Sequence, residues 1–271
     1  MNPPPVFSVV FPAYNEEGRL EPTIREAADY FRARGVPFEL IAVDDGSRDG
    51  TSLLVRRLAG EISELKLIRL PANRGKGYAV RAGVVNSAGR FVLFADADGS
   101  TPMSEIARLE SALEQGAAVA IGSRAVAAAG VLVKAKWYRR VIGRTFHGLV
   151  RWLAVKDIQD TQCGFKLFRA EVAHDLFSRM RIDGFSFDVE VLLMAARRGF
   201  KVAEVPVNWT HRPGSRVNLA IDSLRMARDL FIIRTYAMSG AYDTPHVKPL
   251  TEMTAKTGEL AAVPAGSGEL T

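Results

Sequence analysis

Short apolar segments alternate with helical stretches over the first 125 residues of the chain. Five segments have the apolar, β-branched composition of buried strands: residues 6–11, 38–43, 65–70, 91–95 and 117–122. Between them, four stretches have the spacing or the start residues of helices: about 16–34, 50–61, 75–88 and 103–115. This alternation predicts an α/β fold in which a mainly parallel sheet is flanked by helices and joined by right-handed crossovers.

The second half of the chain is less regular. Helical spacing predicts helices at about residues 137–155, 186–198 and 219–238, and apolar runs predict strands at 163–168 and 201–207. Residues 243–271 carry few bulky apolar side chains and cannot bury enough surface to offset their ordering entropy, so we expect a disordered tail. The folded part is then one domain over residues 1–242.

The charge of the chain indicates an anionic partner. The 271 residues carry a net +6, and because the tail from Asp243 carries −2, residues 1–242 carry +8. Nucleic acid, a phosphorylated metabolite and a membrane surface all fit this excess. The single cysteine, Cys163, excludes a disulfide scaffold, and one cysteine with four scattered histidines excludes a zinc site of usual spacing.

Unusual polar residues follow three predicted strands directly, at the sheet edge where α/β folds bind ligands. They are residues 12–16, the Asp44-Asp45 pair, and Asp96 with Asp98. Two carboxylates placed two residues apart after a strand can face one point, which suits Mg²⁺ or Mn²⁺ shared with substrate phosphates. Each Asp-Gly sequence taken alone is also typical of a simple turn.

The sequence Asn73–Gly77 (NRGKG) opens the third predicted helix. Its glycines let the backbone approach a ligand, and the helix N-terminus together with Lys76 favours an anion such as diphosphate. It is neither a P-loop nor a dinucleotide fingerprint, since Val80 stands where the fingerprint needs its last glycine. A plain helix start is the alternative interpretation.

These four elements, in this order, resemble the family 2 glycosyltransferases of GT-A fold. The resemblance is carried by FPAYNEE (11–17), VDDGSRDGT (43–51), NRGKG (73–77) and ADADGS (95–100), and it covers roughly residues 1–240. Within that family the chain looks most like the polyprenyl-phosphate (dolichyl-phosphate) sugar synthases, and DGSTP (98–102) looks closer to the glucosyl members. The subgroup resemblance is carried by GSR (122–124), DTQCGFK (160–166) and FDVE (187–190).

The resemblance assigns roles to particular residues. It implies a nucleotide-sugar half over residues 1–125 and an acceptor half over residues 126–242. Asp96 and Asp98 match the metal-binding acids, and Ser100 stands where some mannosyl relatives have a glutamine that helps to bind the metal. Together with the anion-binding loop, the expected nucleotide-sugar site is Pro12, Ala13, Tyr14, Asn15, Glu16, Asp44, Asp45, Gly75, Lys76, Gly77, Asp96, Ala97 and Asp98.

A basic, acid-free stretch runs from Lys134 to Trp152 and contains six bases. Helical spacing places a basic stripe beside an apolar, Trp-bearing face, which is typical of a helix lying in a membrane interface. A core-packed helix with a solvated face is the alternative. Arg124 matches an arginine that contacts the acceptor phosphate in lipid-phosphate relatives, and we expect Arg139 or Arg140 to add a second contact. A surface ion pair is the alternative interpretation of Arg124.

The predicted reaction is inverting transfer of glucose from UDP-glucose to a polyprenyl monophosphate, with Lys76, Asp98 and Arg124 as the catalytic residues and Mg²⁺ or Mn²⁺ as cofactor. One alternative is another donor, such as GDP-mannose or UDP-GlcNAc, or a hydroxyl acceptor with Asp188 or Glu190 as the base. Another is a non-catalytic nucleotide-sugar-binding protein. The interleaved apolar face argues against nucleic acid.

The sequence also predicts where the protein acts. It has no signal-peptide pattern at residues 1–5 and no uncharged run of about 18 residues, so we expect a peripheral protein on the cytoplasmic face of a membrane. The C-terminal amphipathic helices are expected to associate with that membrane, with ordinary packing against the core as the alternative for the helix at 219–238. The sequence is silent on the oligomeric state and on the length of the polyprenol.

Overall fold

The computed structural model describes residues 3–126, 128, 130–134, 158–212 and 219–244. The helix predicted near residues 137–155, with Arg139 and Arg140, lies outside the described residues, as does the tail from residue 245 onward. The division into a domain over residues 1–242 and a disordered tail therefore stays a prediction.

Seven strands form the main sheet and two short strands form a second one. Their bounds are β1 Phe7–Ala13, β2 Phe38–Asp44, β3 Leu65–Arg69, β4 Phe91–Ala95, β5 Val119–Ser123, β6 Val133–Lys134, β7 Phe165–Arg169, β8 Val202–Pro206 and β9 Trp209–Thr210. The main sheet has the order β3-β2-β1-β4-β7-β5-β8, and β6 pairs with β9. Only β7 runs antiparallel to its neighbours in the main sheet, which confirms the predicted, mainly parallel α/β architecture.

Helices cover both faces of the main sheet. Their bounds are α1 Leu20–Ala33, α2 Thr51–Glu61, α3 Lys76–Val85, α4 Ile106–Glu114, α5 Ala170–Arg179, α6 Phe187–Arg197 and α7 Leu219–Met238. Side chains of α1, α2 and α4 pack on one face of the sheet, and side chains of α3, α5, α6 and α7 pack on the other. Because both faces are covered, β1 is buried along its whole length.

The strand order reverses between β1 and β4. The chain builds β2 and β3 on one side of β1 and then crosses through α3 to place β4 on the other side. The crossovers leaving β1 and β4 thus diverge, and a crevice opens beyond the carboxyl ends of these two strands. The residues after Ala13 and Ala95 border this crevice.

The structure also contains elements that the sequence analysis did not predict. Helix α5 is the largest, and β6 and β9 are the others. Helix α5 packs against α3, so it supports the helix that begins at Lys76. Within the described parts of the chain, no helix is long and apolar enough to cross a bilayer.

Candidate active site

A cavity of about 670 Å³ lies beyond the carboxyl ends of β1, β2 and β4. Ten residues predicted to bind the nucleotide sugar line it: Pro12, Ala13, Tyr14, Glu16, Asp45, Gly75, Lys76, Asp96, Ala97 and Asp98. Asn15, Asp44, Gly77 and Arg124 are not part of its wall. The volume is within the range of ordinary small-molecule sites.

Asp96 and Lys76 form an ion pair in the cavity wall. The Lys76 Nζ lies 2.5 Å from Asp96 Oδ1. Burial alone would lower the pKa of Lys76, but the nearby carboxylates of Asp96 and Asp188 raise it, so the ammonium stays charged. Asp96 lies directly over Gly164, since a Cβ on that glycine would come within 2.1–2.3 Å of the Asp96 carboxylate.

Asp98 follows Asp96 in a turn and also lines the cavity. Its Oδ1 accepts a hydrogen bond from the Ser100 backbone N–H at 2.9 Å, across Gly99 at a φ of +62°. The described residues contain no group of three or more His, Cys, Asp or Glu side chains arranged for a metal. Two carboxylates fit Mg²⁺ or Mn²⁺ only as a shared site, in which phosphate oxygens and waters complete the coordination shell.

The two aspartates at the end of β2 have different surroundings. Asp44 is fully buried, where its carboxylate accepts hydrogen bonds from the Ser47 backbone N–H and the Ser52 hydroxyl. Asp45 lines the cavity and accepts the backbone N–H groups of Arg74 at 2.7 Å and Gly75 at 2.8 Å. Burial raises the pKa of Asp45 to about 6, although these two hydrogen bonds oppose the shift.

The loop after β1 is tied to the turn after β2. Asn15 has a φ of 54°, unusual for a residue with a side chain, and its Oδ1 accepts the Arg48 N–H at 2.9 Å. Its own N–H donates to Ser47 Oγ, and the Glu16 N–H donates to Thr51 Oγ1, both at 2.9 Å. Asn15 thus shapes the loop that presents Tyr14 and Glu16 to the cavity.

The glycines of the NRGKG loop pack against another backbone segment. A Cβ on Gly75 would lie 2.5 Å from the Asp183 carbonyl oxygen, and a Cβ on Gly77 would lie 2.6 Å from that of Ile182. Gly75 also has a φ of +106°, which favours glycine. The two glycines therefore allow the segment between α5 and α6 to close one side of the cavity.

Arg124 lies at the end of β5 and is paired with Asp160. Its Nε and one terminal nitrogen donate to the two Asp160 oxygens at 2.7 and 2.8 Å, and its guanidinium lies 5.5 Å from the centre of the Trp209 ring. Burial disfavours the charged guanidinium, but the Asp160 carboxylate outweighs it and raises the pKa of Arg124. The expected contact with an acceptor phosphate stays a prediction.

The opposite wall of the cavity contains residues that the sequence analysis did not assign to a site. Arg181 and Asp183 come from the segment between α5 and α6. Helix α7 supplies six more residues of this wall: Arg225, Met226, Arg228, Asp229, Ile232 and Tyr236. Apart from Met226, these α7 residues recur at helical spacing, a signal present in the sequence, but a polar helical face looks the same whether it borders a cavity or solvent.

Asp188 and Glu190, the two residues suggested as a base, are buried on α6 and do not line the cavity. Lys166 Nζ lies 2.5 Å from Asp188 Oδ1, and burial raises the pKa of Asp188 despite this lysine. Glu190 accepts the backbone N–H groups of Arg181 at 3.0 Å and Ile182 at 2.9 Å, and burial raises its pKa to about 7. Asp188 therefore connects α6 to Lys166 on β7, and Glu190 connects α6 to the segment that precedes it.

The chain matches one protein family and is similar in sequence to relatives that share one name. Residues 8–177 match the family described as Glycosyl transferase family 2. A dolichyl-phosphate beta-glucosyltransferase of Saccharomyces cerevisiae is 37% identical over 253 residues, which cover 87% of this chain and 76% of the relative. One from Homo sapiens is 38% identical over 254 residues, which cover 89% and 78%.

Solved structures resemble the fold at lower sequence identity. Glucosyl-3-phosphoglycerate synthase from Mycobacterium tuberculosis, in complex with Mn²⁺, UDP and glucosyl-3-phosphoglycerate, superposes with a TM-score of 0.64 and 21% identity. The match covers 89% of this chain and 81% of that one. The same enzyme in complex with Mg²⁺ and UDP gives a TM-score of 0.62 at 20% identity, covering 89% and 80%. At this identity the likeness concerns the fold.

Proposed function

Because the chain belongs to glycosyl transferase family 2 and has the GT-A fold, we propose that it transfers glucose from UDP-glucose to a dolichyl-type polyprenyl monophosphate, with inversion at the anomeric carbon. The names of the relatives at 37–38% identity over most of the chain support the sugar and the acceptor. UDP-glucose as the donor is part of the proposal, supported by the glucosyl group in those names and by the glucosyl-like DGSTP sequence at 98–102.

One observation carries the choice of a phosphate acceptor over a hydroxyl acceptor. Every carboxylate in the described cavity wall already accepts from a cation or a backbone N–H: Glu16 from Arg19, Asp45 from Arg74 and Gly75, Asp96 from Lys76, Asp98 from Ser100, Asp183 from Arg81 and Asp229 from Arg228. Cations and N–H donors lower the basicity of a carboxylate, and Asp45, whose pKa burial nevertheless raises to about 6, lies at the end of β2 on the side proposed for the donor. A phosphate monoester has a second pKa near ~6, is largely a dianion at neutral pH and needs no base.

The donor side of the site is built from β1, β2, β4 and the start of α3. Asp45 is positioned to accept N–H or O–H groups of the nucleoside, and the N-terminus of α3 with Lys76 favours the diphosphate. Asp96 and Asp98 would hold Mg²⁺ or Mn²⁺, which when bound neutralises charge on the leaving diphosphate. The solved neighbours that contain Mn²⁺ or Mg²⁺ with UDP support this assignment.

The acceptor side has to hold a second anion in line with the sugar. We expect Arg124 to contribute, exchanging Asp160 for phosphate, with Arg139 or Arg140 from the segment outside the described residues. Arg225 and Arg228 on α7 border the cavity and add positive charge on this side. Bidentate guanidinium contacts orient a phosphate without taking a proton from it, which is what this reaction needs.

Association with a membrane surface follows from the lipid acceptor. Helix α7 carries three exposed apolar side chains, Leu224, Phe231 and Met238, at seven-residue spacing on the side away from the core. We expect this stripe and the basic stretch 134–152 to lie against the cytoplasmic face of a membrane as a peripheral contact.

A labelled-sugar assay tests the proposed function. The purified chain is incubated with polyprenyl phosphate, Mg²⁺ or Mn²⁺, and one of UDP-glucose, GDP-mannose or UDP-GlcNAc. We expect label in the lipid extract only from UDP-glucose, with the β-anomer in the product. Label from another donor would overturn the assignment of the sugar. Transfer only to a hydroxyl, or binding of donor with no transfer to any acceptor, would overturn the proposed reaction.

A further inference from the structure

The ion pair between Lys76 and Asp96 occupies the position that the proposed function gives to a metal. The lysine Nζ lies 2.5 Å from Asp96 Oδ1, and both side chains border the cavity. An ammonium and a divalent cation on the same carboxylate repel each other, so the Lys76 ammonium weakens the binding of a metal at Asp96. Tight metal binding at Asp96 is therefore expected only when the Lys76 ammonium moves away.

The surroundings determine which partner moves. Asp96 is the first residue after β4, its N–H donates to the Gly164 carbonyl at 2.9 Å, and its carboxylate lies against that glycine. Lys76 has a flexible four-carbon side chain at the first position of α3. Asp188, which also attracts the Lys76 ammonium but does not line the cavity, is itself held by Lys166. The aspartates are thus fixed, and the lysine side chain is the mobile partner.

We propose that Lys76 occupies the cation position on Asp96 in the nucleotide-free protein, and that a donor diphosphate draws it away so that metal and donor bind tightly only together. This inference rests on the proposed function, because it needs a diphosphate and a divalent metal in the same cavity. The diphosphate supplies the replacement anion for the ammonium, and linkage makes the effect reciprocal, so that the metal strengthens donor binding by the same factor.

Manganese titration of the full chain, followed by electron paramagnetic resonance of free Mn²⁺, tests this inference. Each protein is titrated alone and with saturating UDP, and the affinity of Mn²⁺ for free UDP is measured separately. For the wild type we expect weak Mn²⁺ binding alone and binding at least about tenfold tighter with UDP, within the usual range of coupling between sites. Lys76→Met should bind Mn²⁺ alone about tenfold more tightly than the wild type and gain less from UDP.

Two further variants separate the ion pair from general electrostatics. Lys76→Arg keeps a cation beside Asp96 and should bind Mn²⁺ alone as weakly as the wild type. Arg74→Met removes one positive charge from the same wall at a residue whose ion-pair partner is Asp183, and should change the affinity by less than about threefold. Lys76→Gln is a second neutral replacement beside Lys76→Met and should behave in the same way. Thermal unfolding verifies that each variant folds.

The possible outcomes distinguish this inference from the function on which it rests. If Lys76→Met and Lys76→Gln bind Mn²⁺ alone no more tightly than the wild type, or if Arg74→Met gains as much, the inference is wrong. In that case the wild type would still form labelled lipid in the transfer assay, and the proposed function would stand. Absence of both Mn²⁺ binding with UDP and lipid product would instead overturn the proposed function.

Discussion

At the scale of single residues, the proposed role of Asp45 predicts that donor binding depends on pH. Burial raises the pKa of its carboxyl to about 6, so the group is mostly protonated below that pH and mostly ionised at neutral pH. Only the ionised form has both oxygens free of a proton to accept donor groups of a nucleoside. The carboxyl has to be ionised when the nucleotide binds, so protonation competes with binding.

We therefore expect the affinity for UDP-glucose to be constant above about pH 7 and to fall by up to about tenfold per pH unit below pH 6. UDP-glucose is the appropriate ligand because its diphosphate is a diester without a titration in this range. Calorimetry between pH 5 and pH 8 measures the effect. Asp45→Asn should bind more weakly and with no slope, whereas an equal slope in that variant would assign the titration to another group.

Asp188 offers a second residue-scale prediction, because its two possible roles give opposite results. As the partner of buried Lys166, its replacement by Asn leaves a lysine charge uncompensated, and we expect a loss of about 3 kcal/mol in the free energy of unfolding. Turnover of the folded variant should fall less than tenfold. If Asp188→Asn folds with normal stability but has lost transfer, Asp188 is the base and the acceptor is a hydroxyl.

At the scale of secondary structure, the sequence predicted those elements whose signal is local. The strands of the first half and α7 lie within a few residues of the predicted bounds, because apolar period and turn residues specify them directly. Helix α5 was missed although Val172, Ala173, Leu176 and Phe177 have helical spacing and are all buried. Strand β7 ends at Arg169 and α5 begins at the next residue, so no turn residue in the sequence marks the boundary between them.

Local sequence signals could not predict which face of α7 borders the cavity or which residue pairs with Arg124. Which face of α7 borders the cavity depends on its packing against α6, and Asp160 reaches Arg124 across 36 residues of chain. The helical spacing of α7 does not show which partner each face meets, and the Arg124–Asp160 pair leaves no periodic signal. The cavity wall built from strand ends was therefore predictable from motifs, whereas the wall formed by α7 depended on tertiary structure.

Gly77 on α3 gives a prediction at this scale, because helix propensity favours alanine at this position whereas the tight packing around it favours glycine. Alanine is the better helix former by about 1 kcal/mol, but a Cβ here would lie 2.6 Å from the Ile182 carbonyl oxygen and 2.7 Å from the Phe187 Cβ. We expect Gly77→Ala to destabilise the fold by about 1–3 kcal/mol, as overpacking does, and to raise KM for the acceptor by displacing the wall at 182–184.

Gly60 on α2 is the matched control, since a Cβ there would have no neighbour within 4 Å. Gly60→Ala should leave KM unchanged and stabilise the fold by up to about 1 kcal/mol. Urea unfolding and acceptor kinetics on both variants make the comparison. Equal behaviour of the two would mean that the contact between α3 and the 182–184 segment does not shape the cavity.

At the scale of the whole molecule, the cavity and the exposed stripe lie on adjacent faces of α7. Arg225, Arg228 and Ile232 face the cavity, while Leu224, Phe231 and Met238 face outward at 76%, 57% and 78% exposure. A lipid phosphate that enters the cavity keeps its hydrocarbon chain in the bilayer, so the cavity mouth has to lie near the membrane surface. We expect the stripe, as the proposed membrane contact, to set that distance.

We expect the triple variant Leu224→Ser, Phe231→Ser, Met238→Ser to lose binding to vesicles of phosphatidylcholine and phosphatidylglycerol by at least about tenfold, since each buried apolar side chain contributes about 1.5–3 kcal/mol when fully buried and less in an interface. Vesicle sedimentation measures the loss. Leu53→Ser is the control, because Leu53 is similarly exposed, at 71%, but lies on α2, on the other face of the sheet. Transfer to a short-chain polyprenyl phosphate in detergent should be retained, because the stripe does not line the cavity. Unchanged vesicle binding by the triple variant would mean that another surface, such as the basic stretch 134–152, carries the membrane contact alone.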